Sequence, residues 1–578
     1  MTYALRDPAL HNHALRDPAL QAVVDRWIDS DDRVHTDHLL ERLGADVADR
    51  LSDLAATADR NPPVLRQFDR DGNRIDEIDH HPSYLELCHA AYSEYGLSAL
   101  SHRPIHGWDA KPPHLVKYLA SYLFVQAEFG LACPVSMTDA AARTLRMFGD
   151  PDTFGPWIDG LTSTDPEQAL TGAMFMTEPQ AGTDIAQTAT VAERDGDTWR
   201  LSGKKWFASN PGADVIITLA RFPGGDPDST RGVGMFMVPR RLPTGERNSY
   251  TIDRLKDKLG TRSMPSGEVT LDGAYALQVG ELERGFRQMA EMVNTSRLSN
   301  AMRSSALMRR AVRDAVDHTR ERVIFGKALF DQPLMRATLL PLLLDAEAAL
   351  ALVGYTGDAL QRADAGDTEA QSLVRILTPV AKHFICKRAR SVTGEAMEVR
   401  GGNGYIEEWG FARLVRDSHL GSIWEGSSNV IALDVLRSMR KQNAHRRLAD
   451  AMCALLAALD DACRPGVSAL REQWAALAAR GDDLLAGDDT TAQIGSAPYA
   501  DALARAVMAT LLYDLASDRI VRFGEHRSLL VANAYLAYVD GRTDRTALDN
   551  LAAIADGTDV DPDVARAAAP HEIAGVAR

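Results

Sequence analysis

The order of hydrophobic periods along the chain constrains its fold more than any other feature. Between residues 172 and 275, short apolar runs alternate with Gly, Pro and Asp, which is typical of strands in a small barrel or sandwich. The predicted strands are 189–193, 198–202, 215–220, 234–238 and 267–271. Before and after this region, apolar residues recur every three or four positions, which predicts helices such as 114–131 and 137–148. The sequence therefore predicts helices, then a β domain, then helices.

A chain of 578 residues is too long for one hydrophobic core and should divide into several domains. We expect an α+β, mostly α protein. Its predicted parts are an N-terminal extension (1–30), an N-terminal helical domain (31–171), a β-barrel domain (172–275), a C-terminal helical bundle (276–440) and an additional helical domain (441–578). The extension repeats Leu-Arg-Asp-Pro-Ala-Leu at 5–10 and 15–20, and we expect it to be mobile.

Charge and cysteine usage exclude several classes of protein. The formal net charge of -16 argues against general affinity for nucleic acid or anionic membranes. Five cysteines are scattered without metal-ligand spacing, so we expect free thiols and no metal. The apolar run 339–355 is interrupted by Asp345 and Glu347, which favours a core helix over a membrane span. With no secretory signal at the N-terminus, these features predict a cytoplasmic protein.

Four segments carry residues suited to chemistry. They are MTEPQAGTD at 176–184, GKKWFAS at 203–209, RVIFGK at 322–327 and IWEGSSN at 423–429, with GGNGY at 401–405 before the last. In the last segment, Glu425 lies between an aromatic ring and a glycine, so a carboxylate could be shielded from water while the backbone approaches a ligand closely. Gly182 permits the close backbone approach that a phosphate contact requires, whereas a lone glycine-rich string such as 401–405 is usually only a turn.

In this order, the segments resemble the acyl-CoA dehydrogenase family over roughly residues 30–440. The resemblance implies FAD as cofactor and an acyl thioester as substrate, with Glu425 removing the α-proton and a hydride passing to flavin N5. Family members with the base elsewhere have Glu immediately before the residue matched by Arg297, and here that residue is Ser296. The resemblance implies these cofactor-binding residues: Met176, Thr177, Thr183, Phe207, Ser209, Arg322, Phe325, Gln332, Gly401, Gly402, Trp424, Ser427 and Asn429.

The same resemblance assigns substrate binding to Arg297 and Asn294. Conventional members have Asp where this chain has Asn294, so whether CoA is the carrier stays open. Arg322, Phe325 and Gln332 match positions that reach the FAD of a neighbouring subunit, which implies a homotetramer with a shared site. An electron-transfer flavoprotein is a possible partner, and an oxidase or monooxygenase acting on a non-CoA substrate is an alternative function.

Further strings, among them 256–263, 381–388 and 395–399, resemble the AidB branch of the family, whose members are tied to the alkylation response. That branch offers a second alternative, a DNA-binding flavoprotein. From residue 441 onward, however, there are 14 Lys and Arg against 20 Asp and Glu. A duplex-binding module usually has the opposite balance, so DNA binding is doubtful even though Arg519, Arg522 and Arg527 could form a local basic face.

Overall fold

The computed structural model describes residues 11–568 and places them in two compact units. One unit comprises residues 49–113 and 127–299, and the other comprises residues 11–48, 114–126 and 300–568. The helix Gly285–Glu321 contributes residues to both. The five predicted parts of the chain and their bounds stay predictions.

The first unit contains the strands. The strands are β1 (Val64–Phe68), β2 (Arg74–Asp79), β3 (Gly172–Phe175), β4 (Val191–Asp195), β5 (Thr198–Ser209), β6 (Val215–Arg221), β7 (Val233–Pro239), β8 (Tyr250–Leu255) and β9 (Ser266–Gln278). Strands β6, β4, β5, β9 and β7 follow one another in the sheet, and β7 pairs back with β6, so the ring closes. β3 joins it beside β6, and β8 beside β9. The expected β-barrel is confirmed.

Two layers of side chains fill this unit. Phe175, Trp199, Leu201 and Phe236 are among the buried residues of one cluster, which the barrel strands supply. The other cluster joins β6 and β7 to α6 (Ala132–Phe148), α7 (Pro151–Leu161) and the first part of α8 (Gly285–Glu321). The unit also contains α3 (Arg50–Arg60), α4 (Pro82–Cys88) and a π-helical segment (His89–Glu94). The barrel is therefore packed inside and covered on its β6–β7 side.

The second unit is helical in its described residues, apart from a short hairpin of β10 (Val323–Ile324) and β11 (Lys327–Ala328). Its helices are α1 (Pro18–Trp27), α2 (Ser30–Ala48), α5 (His114–Val125), the rest of α8, α9 (Pro333–Asp364), α10 (Thr368–Val399), α11 (Phe411–Gly421), α12 (Ser428–Gln442), α13 (Ala444–Ala457), α14 (Arg464–Ala486), α15 (Asp489–Phe523), α16 (Arg527–Val539), α17 (Arg545–Asp549), α18 (Leu551–Asp556) and α19 (Pro562–Ala567). Of the described helices, α9 alone is long and apolar enough to cross a membrane, and 83% of its most apolar window is buried inside the protein.

The expectation of a mobile N-terminal extension is wrong for residues 11–30. The second copy of the repeat begins α1, and its Asp17 is fully buried. Asp17 caps that helix, accepts a hydrogen bond from the Tyr122 hydroxyl at 2.8 Å and pairs with the Arg309 guanidinium at 3.1 Å. A buried charge with these partners fixes a segment in place, because losing them would leave the carboxylate unpaired. The first copy, residues 5–10, lies outside the described residues.

Candidate active site

The loop between α11 and α12 carries Glu425 in a strained backbone. Its φ is +56°, and Gly426 follows at +96°, so two successive residues are left-handed. That region costs a non-glycine residue about 1–2 kcal/mol, because Cβ approaches the carbonyl oxygen. The glutamate side chain is half-buried. Strain of this kind concentrates at functional sites, where surrounding contacts hold the backbone against its preference.

Helix α8 supplies two residues that hold Trp424, the neighbour of Glu425. The fully buried Asn300 accepts a hydrogen bond from the Trp424 indole nitrogen at 2.8 Å and donates one to the Gly421 carbonyl at 2.8 Å. The Arg303 guanidinium lies 4.6 Å from the centre of the Trp424 ring, within reach of a cation–π contact. Both ends of the short segment before Glu425 are thus tied to one helix. Neither Asn300 nor Arg303 could be predicted from the motif, since both lie more than a hundred residues away from it in the sequence.

The loop at 176–184 is fastened by a buried ion pair that the motif alone did not reveal. The Lys205 ammonium lies 2.8 Å from a Glu178 carboxylate oxygen and 2.8 Å from the Leu219 carbonyl oxygen. Glu178 also accepts hydrogen bonds from the Ala189 amide at 2.7 Å and the Thr190 hydroxyl at 2.5 Å. Both charged side chains are at most 1% exposed. The loop that should contact the flavin is therefore locked to β5 and β6.

The groups around Glu178 and Lys205 determine whether these two side chains are charged. Burial acts to raise the pKa of Glu178, but the Lys205 ammonium, the Thr190 hydroxyl and the Ala189 amide outweigh it and lower the pKa. Burial also lowers the pKa of Lys205, against the charge of Glu178. We take the pair as ionised because the ammonium meets two oxygen acceptors at hydrogen-bond distance.

The predicted flavin residues of this unit lie on that loop and on β5. The Trp206 amide donates to the Thr177 carbonyl at 2.9 Å, which joins the two segments directly. Met176, Thr177 and Ser209 are half-buried, while Thr183 is exposed. Phe207 presents 59% of its surface to solvent, and the Lys256 ammonium lies 5.0 Å from its ring centre. An exposed aromatic ring beside exposed loop backbone can receive a planar ligand.

The predicted substrate residues are brought together on α8. The Arg297 guanidinium donates to the Asn294 side-chain oxygen at 3.3 Å, and both residues are half-buried. A neutral amide at position 294 adds no negative charge beside Arg297, where a carboxylate would add one.

The hairpin β10–β11 displays Phe325 at its tip. Phe325 and Gly326 have φ of +49° and +82°, which is the pattern of a type I′ turn, and Phe325 is 95% exposed. The Gln332 side chain donates to the Ile324 carbonyl at 3.2 Å and so supports the hairpin from α9. A large aromatic residue in a left-handed turn, held out from the protein, is suited to contact a ligand or another chain.

Basic groups gather where α8 ends and the glycine string begins. Burial lowers the pKa of His318, and the charges of Arg400 and Arg322 lower it further, so the two guanidinium groups lie near this imidazole. Gly401 and Gly402 follow directly and are exposed, and a Cβ added at either would meet nothing within 4 Å. Exposed backbone beside two guanidinium groups suits an anionic ligand.

The structure therefore groups the predicted residues in two sets. The first unit contains Met176, Thr177, Thr183, Phe207, Ser209, Asn294 and Arg297, and the second contains Arg322, Phe325, Gln332, Gly401, Gly402, Trp424, Glu425, Ser427 and Asn429. Ser427 and Asn429 are exposed at the start of α12, and the Ser427 side chain does not cap that helix. The roles of both sets stay predictions.

The arginines considered for DNA contact are engaged inside the protein. Arg519 pairs with Asp25 and Glu525. Arg522 donates to the Asp25 carbonyl oxygen. Arg527 is 2% exposed and pairs with the buried Glu347. Paired guanidinium groups offer little charge to a phosphate backbone, so the structure does not favour this cluster as a duplex-binding face.

Three family models match the chain. Residues 6–168 match the adaptive response protein AidB N-terminal domain, 173–274 the acyl-CoA dehydrogenase middle domain and 283–440 the acyl-CoA dehydrogenase C-terminal domain. The chain belongs to the acyl-CoA dehydrogenase family and is an oxidoreductase. Within that family it is AidB-like: the putative acyl-CoA dehydrogenase AidB of Escherichia coli K12 is 38% identical over 405 residues, or 68% of this chain and 71% of that protein.

Other relatives agree with this placement. Acyl-CoA dehydrogenase family member 11 of Caenorhabditis elegans is 32% identical over 449 residues, covering 75% of this chain and 72% of that protein. The crystal structure of Caenorhabditis elegans ACDH-11 in complex with C11-CoA matches with a TM-score of 0.83 at 30% identity, covering 92% of each chain. The Bd2924 apo-form matches with a TM-score of 0.80 at 30% identity, covering 89% of this chain and all of that one. The predicted acyl-CoA dehydrogenase fold with extra C-terminal helices is confirmed.

Proposed function

We propose that this protein catalyses the FAD-dependent α,β-dehydrogenation of an acyl-CoA or a related acyl thioester, with Glu425 as the base. The observation that carries the proposal is the left-handed backbone at Glu425, held by Asn300 and Arg303 through Trp424. The α C–H of a thioester is a weak acid, so its removal needs a carboxylate at a fixed place. In this proposal the Trp424 ring, held next to Glu425 in the sequence, limits the access of water, and Gly426 lets the backbone approach the substrate.

The residues present fit FAD. Phe207 offers an exposed ring for a planar group, and the loop beside it offers exposed backbone at Gly182 and Thr183. Arg322 and Arg400 gather positive charge next to the open backbone of Gly401, which suits a diphosphate. FAD, when bound, accepts the hydride that leaves the β-carbon of the substrate. The chain's own residues bind and orient the reactants, and Glu425 takes the α-proton.

A shared cofactor site is part of the proposal. Phe325 is held out on a hairpin, with Arg322 at its base, in a form suited to reach another chain. We therefore propose a homotetramer whose FAD sites are completed between subunits. We also propose a cytoplasmic location, supported by the five cysteines, all of which are free thiols.

An acyl thioester substrate is supported by the ACDH-11 complex with C11-CoA, a relative covering most of this chain. Asn294 places no negative charge beside Arg297, so experiment must decide whether the acyl group is carried by CoA or by another thiol. The route of reoxidation separates the main proposal from its alternative. A dehydrogenase passes electrons to an electron-transfer flavoprotein and reacts slowly with oxygen, whereas an oxidase or monooxygenase is reoxidised by oxygen quickly.

The test is anaerobic reduction of the FAD-loaded protein by short, medium and branched acyl-CoAs, which is monitored through the loss of flavin absorbance. We expect one class to bleach the flavin, and we expect Glu425→Gln to lower the rate at least about 10³-fold, because the amide cannot accept the α-proton. Glu472→Gln, an exposed residue on α14, is the matched control and should react as the wild type does. Absence of bleaching by every thioester, with FAD bound, would falsify the proposal.

A further inference from the structure

The string 381–388 in α10 contains side chains that the proposed reaction does not explain. The Lys382 ammonium donates to the Gly426 carbonyl oxygen, in the loop that carries Glu425. The next residue, His383, has its Nδ1 3.2 Å from the Ser428 carbonyl oxygen, at the start of α12. Both side chains are on residues only 1% exposed. Two consecutive residues of one helix thus hold the backbone immediately after the candidate base.

His383 also reaches the helices that follow residue 440. Its Nε2 lies 3.2 Å from an Asp501 carboxylate oxygen on α15. Burial acts to raise the pKa of Asp501, but the contact with His383 and the charges of Lys387 and Arg505 outweigh it and lower the pKa. Helix α15 packs against both α10 and α12. One imidazole therefore connects the additional helical region to the loop.

We propose that His383 and Asp501 are positioning residues, through which the additional C-terminal helices fix the loop that presents Glu425. The inference rests on the proposed function for the role of Glu425, while the coupling between Asp501 and the loop stands on the contacts alone. It gives the helices after residue 440 a part in the dehydrogenation, which the fold by itself does not require of them.

The geometry explains why such support matters. Glu425, a residue with a Cβ, is left-handed, so its backbone would relax toward ordinary angles if the carbonyls that follow it were released. Lys382 and His383 hold the carbonyls of Gly426 and Ser428, one on each side of Ser427. A displacement of about 1 Å at a reacting group can cost up to 10²-fold in rate, so a partial release should be measurable.

The two ring nitrogens of His383 contact different parts of the structure. Nδ1 lies at hydrogen-bond distance from the Ser428 carbonyl oxygen, and Nε2 lies beside the Asp501 carboxylate, so one buried ring contacts both elements. Removing the Asp501 charge leaves Nε2 without its anionic partner and lets the ring turn away from Ser428. Asp501 is the better residue to change, because its side chain is 43% exposed and its loss leaves the core packing intact.

The test compares Asp501→Asn, Asp501→Glu and a control, Asp489→Asn, in the full-length protein. Asp489 lies on the same helix and forms an ion pair with Arg440 at 2.8 Å, at the far end of α12 from the loop. Hydrogen exchange of peptides covering residues 420–432 is measured first. We expect faster exchange in Asp501→Asn, wild-type exchange in Asp489→Asn, and recovery in Asp501→Glu.

The limiting rate of flavin reduction is measured next, with FAD content and substrate dissociation constant. We expect Asp501→Asn to lower the limiting rate about tenfold at unchanged FAD content and substrate affinity, since the base moves while the binding groups stay. Unchanged exchange in this variant, or faster exchange with an unchanged limiting rate, overturns the inference. If the wild type is not reduced by any thioester, the proposed function fails, and the exchange data still decide whether Asp501 holds the loop.

Discussion

Replacing Lys205 by Met tests the reasoning about the flavin loop. The change removes one partner of an ion pair whose side chains are at most 1% exposed, and it leaves the Glu178 carboxylate buried without a cation. Breaking a buried pair in this way costs about 3–5 kcal/mol. Glu178 keeps its hydrogen bonds from Thr190 and Ala189, so we expect the lower end, about 3 kcal/mol. For a unit of this size that corresponds to a fall in Tm of about 6–12 °C.

The assay is thermal unfolding of the cofactor-free protein, with three comparisons. Lys204→Met changes the adjacent exposed lysine of the same strand and should shift the Tm by less than about 2 °C. The double variant Lys205→Met with Glu178→Gln should recover part of the loss, because it removes the uncompensated charge. The FAD dissociation constant should rise in Lys205→Met, because the loop at 176–184 loses its attachment to β5.

The pH dependence of the Tm tests the account of the Glu178–Lys205 pair most directly. In the wild type the folded-state pKa of Glu178 is lowered, so its stabilisation is present above the unfolded pKa of about 4.3 and is lost as the pH falls through the folded pKa. In Lys205→Met, the largest influence that lowers the pKa of Glu178 is gone, so that pKa is higher than in the wild type and protonation relieves the cost as the pH falls. The Tm difference between the two proteins should therefore narrow from pH 7 to about pH 4. A constant difference, or a loss equal to that of Lys204→Met, would refute the account.

Two further predictions concern the ends of the described chain. Asp17→Ala should lower the free energy of unfolding by about 3 kcal/mol, because Arg309 and Tyr122 lose a buried partner, and it should expose residues 11–30 to proteases. Asp31→Ala, on the exposed start of α2, should leave the digestion unchanged. Duplex DNA should bind no more tightly than the non-specific range of about 10⁻⁴–10⁻⁶ M at physiological salt, since Arg519 and Arg527 are paired internally, and nanomolar, salt-dependent binding in a gel-shift titration would contradict this.

The barrel could be predicted from the sequence only where strands alternate or are rich in β-branched residues. The five predicted strands all correspond to β4, β5, β6, β7 and β9, with ends shifted by a few residues. β3 was missed because its four residues are nearly all buried and show no alternation. The hairpin β1–β2 was missed because only one of its eleven strand residues is buried and six of them are polar, and it lies within a stretch dominated by helices.

The candidate site, like the barrel, could be predicted from the sequence only in part. Local strings located Glu425, Phe207 and the loop at 176–184, since each motif is continuous in sequence. The contacts that hold them come from distant positions: Asn300 reaches Trp424 across 124 residues, and Lys382 reaches Gly426 across 44. Such partners leave no local pattern, because their spacing depends on how helices pack. The N-terminal prediction failed for the same reason, as the burial of Asp17 depends on Arg309 and Tyr122.

The backbone angle at Glu425 determines which substitutions are favoured at this position when selection for catalysis is relaxed. At a φ of +56°, glycine or asparagine suits the chain better than glutamate, so replacing the base should strengthen the fold while it abolishes the reaction. A stable, inactive protein with the same shape is thus one substitution away. Paralogues that bind acyl thioesters without oxidising them could arise by this short route, and they would be recognised by Gly or Asn after the tryptophan.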